Sequence, residues 1–298
     1  MPPDASATVA LVGIPHEGGY FPAGESVLRK VHGERAVGLL YGQRALLMQA
    51  THPVAFTGLV GSTGGLHAPF ERLARTAQLM ESVYFGDRAE ADRVTARVRG
   101  MHARVRGSTD RPAGPHPAGT PYAADRPDML LWILACLADS ALAVYRSFVG
   151  PLADPAQRER FWGDYLLLGE LFGLPREHAP ANYGEFRDYM RAQLHSDELF
   201  VTDEARELGR RVAFQLPLPA RRRAVLPAVN LAVVGTLPAP VRRLYRIAWT
   251  PAHDAAFHTL AVGLRLSRPL LPHDVRRGRS ARDYALVARA ERRRPATA

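Results

Sequence analysis

Apolar residues in this chain recur at spacings of three and four and almost nowhere at spacings of two, which points the chain to an all-helical fold. Ala36, Val37, Leu39, Leu40, Ala45, Leu46, Leu47 and Met48 are apolar nearly all round, the pattern of a helix buried on every side. Met129 to Val149 reads as a second, longer buried helix. Ala91, Val94, Val98, Met101 and Val105 form one stripe on a helix expected from about residue 89 to about 106. Further helices are expected at 69–84, 155–172, 183–194, 202–214 and 225–234, with segments over 241–266 broken at Pro251. Pro53 interrupts, at Thr51-His52, a run that starts at Ser26. No alternating segment and no Asn-Gly or Asp-Gly pair marks a β-hairpin. Residues 107–121, with Gly107, Pro112, Gly114, Pro115, Pro117, Gly119 and Pro121, read as a loop. The expectation is one all-α, multi-helix domain over residues 26–270. An irregular Pro/Gly-rich arm at 1–25 precedes it and an Arg-rich polar tail at 271–298 follows.

Charge would suggest a different protein. The formal net charge is +10 and the pI about 10.3, values that raise the question of a nucleic-acid partner. Yet Lys30 is the single lysine, so the basic residues are almost all arginine, as GC-rich coding produces. They are spread along the chain among acidic residues rather than gathered into a footprint, and no nucleic-acid partner is expected. Cys136 is the only cysteine, which removes internal disulfides and Cys-built zinc or iron–sulfur sites. The first fifteen residues lack a basic stretch followed by an apolar core, so no secretory signal is expected. The two most apolar stretches carry Gln43, Arg44 and His52, or Asp139 and Arg146. Buried helices, no transmembrane segment and a cytoplasmic location are therefore expected.

Signatures of phosphate and dinucleotide binding are missing. Gly61-Ser62-Thr63-Gly64-Gly65 lacks the lysine of a phosphate loop and reads as a connector, and no H-E-x-x-H zinc motif occurs. The informative run holds Gln49-Ala50-Thr51-His52-Pro53, then Arg72-Leu73-Ala74-Arg75-Thr76, then Tyr84-Phe85-Gly86. It ends with Val98-Arg99-Gly100-Met101-His102-Ala103-Arg104-Val105-Arg106-Gly107. In order and spacing, over about residues 28–265, these segments resemble the family of the latex-clearing rubber oxygenases and the MpaB-type oxygenases. That family shares an H-P helix end, an R-L-x-(R/K)-T helix, an F-G stop and a V-R-x-x-H-x-x-V-x-G helix.

The resemblance implies a globin-like helical core that binds haem b. It implies His102 as the proximal iron ligand and Arg72, Arg75 and Thr76 on the distal, catalytic side. Arg75 stands where the rubber oxygenases carry a lysine. Neutral lysine can ligate iron, whereas guanidinium stays charged and has no free lone pair. The residues themselves agree in part. His102 sits beside the Val98/Val105 stripe, as a haem ligand or a hydrogen-bonded core histidine would. Arg72, Arg75, Thr76 and Leu79 share one helix face, opposite Leu73, Ala77 and Met80; it reads either as a pocket wall or as a solvated basic face. Arg72 and His52 are further candidates for cofactor contact, although capping or packing at the kink is the stronger reading of His52. His32 and Glu34 suggest a base pair, a small metal site or a hydrogen-bonded helix start. Asp139, Tyr145 and Arg146 suggest an internal polar pair. The expected function is a haem-dependent oxygenase or oxidase using dioxygen on an apolar small molecule. The alternatives are a non-enzymatic haem- or lipid-binding module, or a haem-free enzyme built on His32, Glu34 and His52.

Overall fold

The computed structural model describes residues 18–61, 68–218 and 220–278, with Arg289 and Arg292 beyond them. Helices α2 (Arg35–Gln49) and α6 (Pro127–Phe148) pack against each other at the centre. Both helices are rich in buried apolar residues, Leu40 and Leu47 on α2 and Leu131, Ala135 and Ala138 on α6. Arg44 is the exception. It is fully buried on α2, donates to Asp139 at 2.8 Å and to Ser140 at 2.7 Å, and also caps the carbonyl of Thr236. A buried guanidinium survives only when its donors are taken up in this way. Asp139 accepts a second arginine, Arg187, at 3.1 Å. The expected partner of Asp139 on its own helix, Arg146, is instead exposed, because it sits on the solvent side of α6.

Around this pair lie α1 (Val27–His32), α7 (Pro155–Leu171), α8 (Tyr183–His195), α9 (Asp203–Phe214), α10 (Leu226–Thr236) and α12 (Pro251–Ser267). Several helices start on a proline, whose missing N–H costs nothing in a first turn. Others start on a side-chain cap. Ser26, Asp87, Asn182 and Thr202 each accept a backbone N–H of the turn they open. Helix α6 is the one described helix long and apolar enough to cross a membrane, and most of it is buried in the protein core.

Four findings depart from the sequence reading. The run from Ser26 breaks before Pro53 as expected, at Ala50–His52, but it also breaks at Gly33-Glu34, giving α1, α2 and α3 (Pro53–Gly61). Helix α5 (Arg88–His102) stops four residues earlier than its apolar stripe suggests. The chain then forms an antiparallel pair, β1 (Arg106–Ser108) with β2 (Pro121–Ala123), so the expected loop at 107–121 is a β-hairpin. Gly107 is required there: a Cβ would lie 2.8 Å from the Tyr122 hydroxyl. The start of the C-terminal segment is also docked. After α11 (Ala239–Leu244), α12 and the short α13 (His273–Arg276), Arg277 pairs with Glu34 and Gly278 N donates to Gly33 O. Most of the N-terminal arm, the Ser62–Gly65 part of the connector and most of the tail lie outside the described residues.

Candidate functional site

Helix α4 (Pro69–Phe85) and α5 form a hairpin joined by Gly86-Asp87. Gly86 lets the chain turn there, since a Cβ would overlap the Ser82 carbonyl and the Glu90 carboxylate. Arg72 lies thirteen residues before the end of α4 and His102 fourteen residues after the start of α5. At about 1.5 Å per residue both stand about 20 Å from the turn, at the same end of the hairpin. The buried face of α4 carries Leu73, Ala77 and Met80, as expected.

His102 is half-buried. Its Nδ1 is enclosed and has no hydrogen-bond partner. Burial pushes its pKa below the ordinary histidine value, with Asp125 pulling weakly the other way, so the ring is neutral at neutral pH. Arg72 is also half-buried and donates to the Leu59 carbonyl of α3 at 3.1 Å. Burial, and then the charge of Arg75, brings its pKa down to about 10, which still leaves it charged. Arg75 and Thr76, one turn further along α4, are exposed. Two surface clefts lie elsewhere. One of about 370 Å³ is lined by Leu194, His195, Leu199 and Arg243 among others, and the second lies along α8; neither includes His102 or Arg72.

His52 ends up in a different setting. It is buried at the α2–α3 junction, and its ring lies 5.4 Å from that of His116 and 6.5 Å from that of Trp132. Burial and the neighbouring His116 push its pKa down to about 4. His116 Nε2 lies 3.4 Å from a Glu198 carboxylate oxygen. Neither His116 nor Glu198 stood out in the sequence. Their only signal is a histidine between two prolines in the Gly/Pro stretch, because fold alone brings positions 52, 116 and 198 together.

His32 and Glu34 do not form a pair. His32 Nε2 lies 2.8 Å from the Tyr165 hydroxyl, with Tyr41 and Tyr84 packed on its ring. Glu34 is held by Arg268 at 2.7 Å and Arg277 at 3.4 Å. The carboxylate serves as an anchor for two C-terminal arginines, and the break at Gly33-Glu34 turns it away from the histidine.

Residues 29–266 match the catalytic domain described as that of the ER-bound oxygenase mpaB/B′ and rubber oxygenase. An uncharacterized protein of Mycobacterium bovis is 28% identical over 233 residues, covering 76% of this chain and 88% of its own length. An uncharacterized protein of Mycobacterium tuberculosis matches with the same figures. No solved structure matches the chain significantly. The match takes in the α2–α6 core and both helices of the hairpin that carries Arg72 and His102, and on that extent the chain belongs to the MpaB/rubber oxygenase catalytic-domain family.

Proposed function

We propose that this chain is a haem b-dependent oxygenase that acts with dioxygen on an apolar small molecule such as a lipid, a terpenoid or a secondary-metabolite intermediate. Family membership supports oxygenase chemistry. The observation that carries the haem reading is the partnerless Nδ1 of His102. An enclosed polar atom without a partner costs about 1–3 kcal/mol, so its persistence suits a nitrogen reserved for something the chain does not itself contain. A neutral imidazole on a rigid helix is the donor that haem iron takes. The residues present therefore fit the group.

Bound there, haem would supply the activation of dioxygen. The chain has three tasks. Burial keeps the His102 ring unprotonated and available as a ligand. Arg72, charged and anchored to the Leu59 carbonyl, offers a fixed positive charge at the same end of the hairpin, suited to a carboxylate such as a propionate. Arg75 and Thr76, exposed one turn further along the same helix, would face the group with a guanidinium that has no lone pair to ligate iron and a hydroxyl that can donate or accept a hydrogen bond.

The test is dioxygen uptake by the full chain after reconstitution with hemin, over a panel of isoprenoid and fatty substrates. Uptake coupled to substrate loss in the wild type, abolished in His102→Ala, is the expected result. A haem-bound protein inert toward the whole panel would favour a binding module, and a chain that takes up no haem would overturn the reading.

A further inference from the structure

Among the described residues, one group of metal-type donors comes together: His52, His116 and Glu198, with one ligand atom from each within 4.8 Å of the other two. We propose that these three side chains form a site for a divalent cation of the zinc class, which fastens the β1–β2 hairpin to the α2–α3 junction and keeps a water in its remaining place. The site is separate from the haem reading, which rests on His102 and Arg72, and either can fail without the other.

Geometry supports it first. Zinc bonds of about 2.0–2.2 Å set tetrahedral donors roughly 3.3–3.5 Å apart. His116 Nε2 and the Glu198 carboxylate oxygen are already 3.4 Å apart. The two edges that involve His52 are no longer than 4.8 Å, a span that side-chain rotation can shorten. The present contacts of these nitrogens are weak or replaceable. Ala55 N donates to His52 Nδ1 over a long 3.4 Å, and His116 Nε2 lies 3.1 Å from the Glu198 carbonyl. Binding through His52 Nε2 would put the ring proton on Nδ1 and give up the Ala55 contact; binding through Nδ1 would replace it.

Preorganisation supports it next. The three donors sit on separate segments that are tied together without a metal. Phe200 N donates to Thr51 O at 2.8 Å, which fixes the Glu198 segment beside His52. Ala113 and His116 exchange backbone hydrogen bonds of 2.8 and 3.3 Å, which fixes the His116 turn. Gly114, at φ +61°, presses its backbone onto the Phe200 side chain, where any Cβ would overlap. A cation arriving here meets ligands whose backbones are already in place.

Chemistry names the class. Two imidazoles and one carboxylate suit zinc and its neighbours, whereas magnesium and calcium prefer oxygen alone. His52 is 8% exposed whereas the Glu198 side chain is 57% exposed, which gives a closed floor and an open mouth for entry and for water.

The untagged full chain, stripped with EDTA, is titrated with Zn2+ alone by calorimetry and melted with Zn2+ or Mg2+ present. One equivalent of Zn2+ should bind and raise the melting temperature, with no effect from Mg2+. Glu198→Gln, on an exposed side chain that the fold does not need, and His116→Ala should each weaken binding by more than about 100-fold. Loss of a group that merely supports a ligand costs about 10–100-fold. Absence of saturable Zn2+ binding in the wild type, or one-equivalent binding indifferent to both substitutions, would overturn the site.

Discussion

His32 shows what burial does to a single ionisable residue. Tyr84 and Tyr41 pack against its ring, tilted at 4.4 Å and edge-on at 4.7 Å between ring centres, and burial pushes its pKa from the ordinary 6.5 down to about 3. The unfolded chain takes up a proton that the folded chain refuses. The stability tied to the neutral ring is therefore complete above pH 6.5 and is lost progressively as pH falls toward 3. His52 acts in the same direction, down to about pH 4. Denaturant midpoints should accordingly fall between about pH 7 and pH 4, and more steeply in the wild type than in His32→Asn. Equal slopes would move the origin of the acid sensitivity to other groups. Arg44 makes the opposite case, a buried charge kept by its partners. Arg44→Leu leaves Asp139 on the shared core with only Arg187, and should cost about 3–5 kcal/mol in denaturant unfolding. A loss below about 1 kcal/mol, the scale of an exposed ion pair, would show that Arg187 alone satisfies Asp139.

Helices were legible because burial on one face or on all faces leaves a periodic record in the residues themselves. Leu73, Ala77 and Met80 on α4 and the apolar run of α2 show this directly. The hairpin was not, since strands of three residues hold no period and Gly107 looks in sequence like any loop glycine. Polar partners were illegible for another reason. The sequence offers Arg146 to Asp139 along one helix, but burial decides the matter and selects Arg44, 95 positions away. The same rule hid His116 and Glu198 from His52, whereas the shared level of Arg72 and His102 follows from two helices of near-equal length. Packing between elements can be probed with two glycines. Gly209 on α9 lies against the Tyr245 ring and Leu47, and the Tyr245 hydroxyl donates to Leu47 O at 2.9 Å. Gly209→Ala should therefore destabilise by about 1–3 kcal/mol, as overpacking does. Gly163 on α7 has open space where a Cβ would go, so Gly163→Ala should gain up to about 1 kcal/mol. Thermal melts of the pair read both, and a Gly209→Ala chain as stable as the wild type would show that α9 can shift away from α2.

At the scale of the whole molecule, a central α2–α6 pair carries the stability, and the α4–α5 hairpin is joined to the body by α4, which lies against α2 with one face in the core, and by α5, which lies against α7. That division lets the far end of the hairpin hold an enclosed, partnerless nitrogen and a half-desolvated arginine without unfolding the chain. It also separates the rigid scaffold from the end to which the proposed haem site is assigned. Ligation of haem by His102, as proposed, is read from the absorption spectrum of the purified chain titrated with hemin, before and after dithionite, beside His102→Ala of unchanged circular dichroism. The expected result is a Soret band that saturates at one equivalent in the wild type and is lost or strongly shifted in His102→Ala. Full haem uptake with an unchanged spectrum in His102→Ala would contradict it.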